Sequence, residues 1–119
     1  MRSINLLLND GTLLRARVAV TPRERTRGLL GWRRLGDDEA LLIPGARSIH
    51  TFGMRFPIVA AWLDADHRVV GTRRLEPGRI AWGMRGARHV LECADGTTIE
   101  PGHVIEAAGT DSWVREPAP

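Results

Sequence analysis

The chain has no lysine, no tyrosine, one cysteine and only two phenylalanines among its 119 residues. A lone cysteine, Cys93, excludes an intrachain disulfide and any zinc site built on paired thiolates, and makes a reducing compartment the natural setting. Without lysine, all 17 basic residues are arginine, and nothing titrates between the thiol and the guanidinium. The isoelectric point near 10.8 therefore reflects arginine chemistry more than a large positive field. Long apolar runs are missing as well. Met1 to Leu8 begins like a signal peptide, but the run ends at Asn9-Asp10-Gly11, too short for a cleavable leader and far too short to span a bilayer. A cytoplasmic protein with no membrane association is expected.

What is present is ordinary globular material: 43% hydrophobic and 26% charged residues, enough for one core. One domain is expected over residues 1–115, with a flexible tail at 116–119, Glu116-Pro117-Ala118-Pro119. The net charge is only +3, and the arginines are scattered from Arg2 to Arg115 among 14 acidic residues. No phosphate-tracking stripe emerges, and the absent lysine and tyrosine beside abundant alanine, arginine and glycine fit the codon bias of a GC-rich genome. A nucleic-acid partner is accordingly not the expectation.

Turn signals punctuate the chain at Asn9-Asp10-Gly11, Pro44-Gly45, Asp64-Ala65-Asp66, Pro77-Gly78, Asp95-Gly96 and Pro101-Gly102. Many lie between short runs rich in Val, Ile, Leu and Trp, which predicts a mainly β fold, a compact β-sandwich or distorted barrel. Ile4, Leu6 and Leu8 alternate before the first turn, and Leu14, Ala16, Val18 and Val20 after it, with Arg15 and Arg17 pointing oppositely. That is the pattern of a half-buried hairpin. Further strands are predicted near Leu41 to Ile43, Ile58 to Asp64, Val69 to Arg74, Val90 to Cys93 and Val104 to Ala108.

One helix has its start written in full. In Thr21-Pro22-Arg23-Glu24 the threonine hydroxyl can accept from the Glu24 amide, the glutamate can reach back to the Thr21 amide, and Pro22 sits where no amide hydrogen is needed. This short N-capped helix is predicted near residues 22–30, ending by Gly31.

Several residues invite functional readings that simpler ones outweigh. Gly28-Leu29-Leu30-Gly31 has the form of a nucleotide-clamping G-x-x-G loop, yet its two leucines suit a helix end docking on the core. Cys93 shares a strand face with Leu91 and His89, and over about 13 Å that imidazole cannot deprotonate the thiol, so Cys93 reads as a small buried hydrophobe. Glu92 faces the other way, a surface or site carboxylate without an identified partner. His67 falls in a solvated turn and His103 at the start of a strand. No H-x-x-x-H, G-x-S-x-G, Walker-type or G-x-G-x-x-G pattern occurs, so no metal or cofactor is expected.

The segment Ser48-Ile49-His50-Thr51-Phe52-Gly53-Met54-Arg55-Phe56-Pro57-Ile58 gathers an imidazole, a guanidinium and a thioether around one glycine. As an unbroken strand it buries His50 with Phe52, Met54 and Phe56 and sends Arg55 to the other face. A bulge at Gly53 shifts the register by one and turns His50 and Arg55 toward one concavity. Both readings stand at this level.

Thr21-x-x-x-Arg25-x-x-Gly28-Leu29-Leu30, the central segment from His50 to Ile58, Trp62-Leu63-Asp64, and Arg85-Gly86-Ala87-Arg88 with Val90-Leu91-Glu92 together resemble the family called domain of unknown function 192. The likeness runs from about Leu13 to Val104 and is nearest to the family's short cytoplasmic branch. It implies a compact β-sandwich or distorted barrel with one short helix, and no established activity. The chain departs from the pattern at Val59, where members usually carry aspartate, and at His103, where a turn to aspartate is usual. If that aspartate belongs to a site, the site is altered here.

The leading functional reading is a non-enzymatic binding module, with Arg25, His50, Phe52, Met54 and Arg55 around a pocket for a small anionic molecule or a peptide carboxylate. The first alternative is an enzyme using His50 as general acid or base and Arg55 or Arg25 to stabilise negative charge, which needs Glu92, Asp64 or Glu100 to orient the imidazole. The second is weak nucleic-acid binding through Arg23, Arg27, Arg33 and Arg34.

Overall fold

A computed structural model describes residues 1–108, and the predicted tail at 116–119 lies outside the described residues. In chain order the elements are β1 (Arg2–Leu8), β2 (Leu13–Val18), α1 (Pro22–Arg27), β3 (Glu39–Pro44), β4 (Ile49–His50), β5 (Ile58–Leu63), β6 (Val69–Leu75), β7 (Ile80–Ala81), β8 (His89–Ala94) and β9 (Ile105–Ala107). Alternation at the N-terminus produces the hairpin: β1 pairs antiparallel with β2, Leu6 opposite Leu14 and Ile4 opposite Ala16, while Arg15 and Arg17 face solvent.

Seven strands form one curled half-barrel sheet in the order β6-β5-β8-β3-β2-β1-β9, and β4 with β7 forms a small second sheet. The β2–β3 pair is parallel, so the chain must cross over between them, and α1 with the loop after it makes that crossing. The mainly β expectation is met. Among the described residues no helix is long and apolar enough to cross a membrane.

Strands β3, β5 and β8 are buried on both faces, which is why they read as nearly continuous apolar runs. One face gives Leu42, Ala61, Leu63, Leu91 and Cys93 to a core closed by the β1–β2 hairpin. The other gives Leu41, Ile43, Ile58, Trp62 and Val90 to a second core, closed by Leu29 after α1 and by Ile49 and Ala81 of the small sheet. Cys93 is the buried hydrophobe expected of it, its thiol pushed up to about 12 by burial and the nearby Glu92.

The capping box forms as predicted: the Glu24 amide donates to Thr21 Oγ1 at 3.1 Å, and Glu24 Oε1 accepts from the Thr21 amide at 3.0 Å. The Thr21 and Val20 amides, both donating to Glu24 Oε1, hold its carboxyl below the usual range. The helix is shorter than predicted. Gly28, at φ +53°, ends it three residues before Gly31, its amide donating to the Glu24 carbonyl. The chain then turns so that Leu29 enters the core and Leu30 stays 41% exposed.

The central segment follows neither of the two strand readings. β4 stops at His50, and Thr51 to Met54 make a β-turn closed by the Met54 amide on the Thr51 carbonyl at 3.2 Å. Gly53 is its third residue at φ +77°, a conformation most side chains avoid, and a Cβ there would stand 2.7 Å from Leu30 Cδ1. Gly53 thus serves a turn packed beneath Leu30. Thr51, fully buried, holds the turn: its hydroxyl donates to the Glu76 carbonyl at 2.6 Å and accepts from the Arg79 amide at 2.9 Å. Replacing Thr51 with valine leaves both groups short of a partner. Urea denaturation of Thr51→Val is expected to show a loss of about 1–3 kcal/mol.

Candidate functional site

Between the C-terminal end of α1, the turn after β3 and the β4 segment lies an open cavity of about 500 Å³. Two leading elements set its shape. Gly28 turns the chain at the end of α1 and carries Leu29 inward, while the chain between Pro44 and Ile49 bends at Gly45, φ +76°, under the Arg25 guanidinium. Its apolar walls are Leu29, Ile43, Ile49, Phe52 and Met54, and Arg25, Arg27 and Arg47 stand at its rim. All three arginines are exposed, and among the described residues none has a carboxylate within ion-pair distance.

Glu92 lies in the cavity wall. It occupies the centre of β8, a middle strand of the sheet, opposite Leu41 on one side and Ala60 on the other. Only 2% of it is exposed. Facing it from α1 is Gly28, where a Cβ would be 3.6 Å from Glu92 Oε1. Among the described residues nothing makes a hydrogen bond or ion pair with this carboxyl group, and burial pushes it up to about 8. Burial thus favours the protonated form of Glu92 at neutral pH, and a protonated carboxyl can donate as well as accept.

Of the residues expected at a site, Arg25, His50, Phe52 and Met54 line this cavity, and Arg55 does not. Met54 is buried against the second core, and Phe52, 49% exposed, stacks on His50 with ring centroids 5.6 Å apart. Arg55 is exposed beyond the Gly53 turn, because the turn replaces the bulge that would have brought it beside His50. The His50 ring is exposed and has no orienting carboxylate or carbonyl among the described residues, so the acid–base role considered for it lacks an orienting group.

From the sequence, Glu92 was one of three possible partners for His50 and Arg27 a possible nucleic-acid contact, while Arg47 was not singled out. Glu92 carried a usable signal, a carboxylate inside the apolar run Val90-Leu91-Glu92-Cys93-Ala94 of a strand buried on both faces. Val59, where the family pattern has aspartate, lies against the first core across from Cys93, on the sheet face opposite Glu92. An acid there would not have opened on this cavity.

The other histidines lie elsewhere. His67, at φ +64°, meets His89 edge to face with centroids 5.6 Å apart, and burial lowers both imidazoles below their usual range. The expected solvated turn at His67 is therefore half-buried. His89 Nδ1 accepts from the Gly45 amide at 3.0 Å, which steadies the turn beneath Arg25. Among the described residues no three His, Cys, Asp or Glu side chains are grouped to hold one metal ion.

The solved structures with a similar fold include a candidate transcription regulator from Sinorhizobium meliloti, 22% identical, aligned over 89% of this chain and 92% of that one with a TM-score of 0.76. A protein of unknown function from Novosphingobium aromaticivorans is also 22% identical, over 87% of this chain and 83% of that one, again with a TM-score of 0.76. At that identity the likeness speaks to fold alone. No curated protein matches the sequence. Residues 6–107 match domain of unknown function 192, described as an uncharacterised ACR, and the chain belongs to that family.

Proposed function

We propose that the protein is a non-enzymatic binding module that holds a small organic anion, or the carboxylate end of a peptide, in the cavity between α1 and β4. The observation that carries this reading is the rim: Arg25, Arg27 and Arg47 open on one cavity, and among the described residues no carboxylate stands within ion-pair distance of them. A guanidinium offers paired donors matched to carboxylate or phosphate, and exposed arginines keep that capacity for a ligand. The volume of about 500 Å³ suits a small molecule, and Leu29, Ile43 and Met54 supply an apolar wall for its body.

Thermal-shift screening against carboxylates and phosphates tests the proposal. A ligand present at about 100 times its Kd adds about 2.7 kcal/mol to the folded state. The double variant Arg25→Ala/Arg47→Ala should lose the shift, and Arg55→Ala, outside the cavity, should keep it. Equal shifts in wild type and the double variant would refute the reading. Weak nucleic-acid binding through Arg23, Arg27, Arg33 and Arg34 predicts instead an affinity that falls steeply with salt.

A further inference from the structure

The arginine rim explains attraction for an anion and leaves Glu92 unexplained. A carboxyl group on an interior strand of a sheet, between Leu41 and Ala60, is costly to bury in either protonation state unless something pairs with it. Nothing among the described residues does so, and the cavity is the side to which it opens. The charged and titratable groups facing that cavity are Arg25 and Arg27 from α1, Arg47 from the turn after β3 and His50 from β4. None stands within ion-pair distance of Glu92, and Cys93 points into the other core.

Resting on the binding reading above, we infer that Glu92 engages the ligand as the protonated acid, donating to an uncharged oxygen, so that the cavity selects organic acids with an apolar body and a separate carbonyl or hydroxyl group. The alternative, an ionised Glu92 gripping a ligand ammonium, requires a charge on a buried strand position flanked by Leu41 and Ala60 and faced by Gly28. An unpaired ion there costs several kcal/mol more than the neutral acid. The same burial raises the carboxyl toward about 8, which favours the neutral form at physiological pH. The anionic group of the ligand then belongs at the rim with the arginines, the apolar body along Ile43, Leu29 and Met54, and the acceptor oxygen against Glu92.

Four acids with one carbon skeleton separate these possibilities: 4-methyl-2-oxopentanoate, 2-hydroxy-4-methylpentanoate, 4-methylpentanoate and leucine. Calorimetric titration near pH 6 should find the oxo and hydroxy acids about tenfold tighter than 4-methylpentanoate, with leucine weakest. Near pH 9, where Glu92 ionises, the oxo acid should lose its advantage, because a carbonyl can only accept, whereas the hydroxy acid can still donate to the carboxylate. Glu92→Gln, whose amide still donates, should keep the advantage at both pH values, and Glu92→Leu should lose it at both. Leucine binding tightest, or an oxo-acid advantage indifferent to both pH and Glu92→Leu, would overturn the inference. If other anions bind through Arg25 and Arg47 while none of these four does, the ligand class is wrong. If no anion binds at all, the binding reading itself fails.

Discussion

Glu92→Gln is expected to stabilise the protein, and by more as the pH rises. The carboxyl group titrates near 4.5 in the unfolded chain and is raised to about 8 by burial in the folded one. Between those values the folded state keeps a proton that the unfolded state releases, so stability falls with increasing pH. The contribution of the neutral acid is fully present below pH 4.5 and is lost as the pH passes about 8. The full span corresponds to roughly 5 kcal/mol. Glutamine has nearly the same shape and no proton to lose, so urea denaturation should show wild type and variant similar near pH 5 and the variant several kcal/mol more stable near pH 9. His67 and His89, whose lowered imidazoles make stability rise with pH in the acid range, are common to both proteins and cancel in the difference. A gap that does not change with pH would mean that Glu92 is solvated and ionised like a surface carboxylate.

The second large effect is expected at Gly83, through contact and not through backbone conformation. A Cβ there would stand 2.1 Å from the Arg47 carbonyl oxygen and 2.9 Å from its carbon. Neither atom belongs to a flexible side-chain end, so the turn must move. That carbonyl also accepts the only polar hydrogen of the Trp62 side chain, Nε1 to oxygen 2.9 Å, and Trp62 is fully buried in the second core. Displacing Arg47 therefore strains the packing, orphans a buried indole N–H and shifts one of the rim arginines. Gly83→Ala should cost about 3 kcal/mol or more in urea denaturation, and weaken binding of any anion held by Arg47. Gly71→Ala is the informative comparison, because the group it meets is the Met84 side chain, Sδ at 2.0 Å, which can change rotamer. A Gly83→Ala loss below about 1 kcal/mol would show that the Arg47 turn yields easily.

Features written in local periodicity were legible from the sequence. The β1–β2 hairpin, the Thr21 capping box and the positions of β3, β5 and β8 follow from alternation, a cap and short apolar runs, but the burial of those three strands on both faces does not, since Glu92 reads equally as a surface carboxylate. The small sheet was not legible, since two-residue strands carry no alternation and β4 meets β7 through Thr51 and the distant Glu76 to Arg79 turn. The end of α1 was misplaced because Gly28 and Gly31 both satisfy the local rule for a helix end. Which one serves depends on how Leu29 docks and how near the backbone passes to Glu92. The site was half visible. Arg25, His50, Phe52 and Met54 meet at one cavity, but the turn at Gly53 removes Arg55, and the depth of Glu92 depends on where the crossover after β2 lays α1.

Glu92 stands in the cavity wall without a partner among the described residues, and binding and pH-dependent stability both turn on its keeping a proton there. Its side-chain carboxyl ¹³C resonance, assigned by comparison with Glu92→Gln and followed by NMR through a pH titration, reports that state directly. A midpoint near 8 is expected in the free protein. A midpoint near 4.5, where an exposed glutamate titrates, would contradict it.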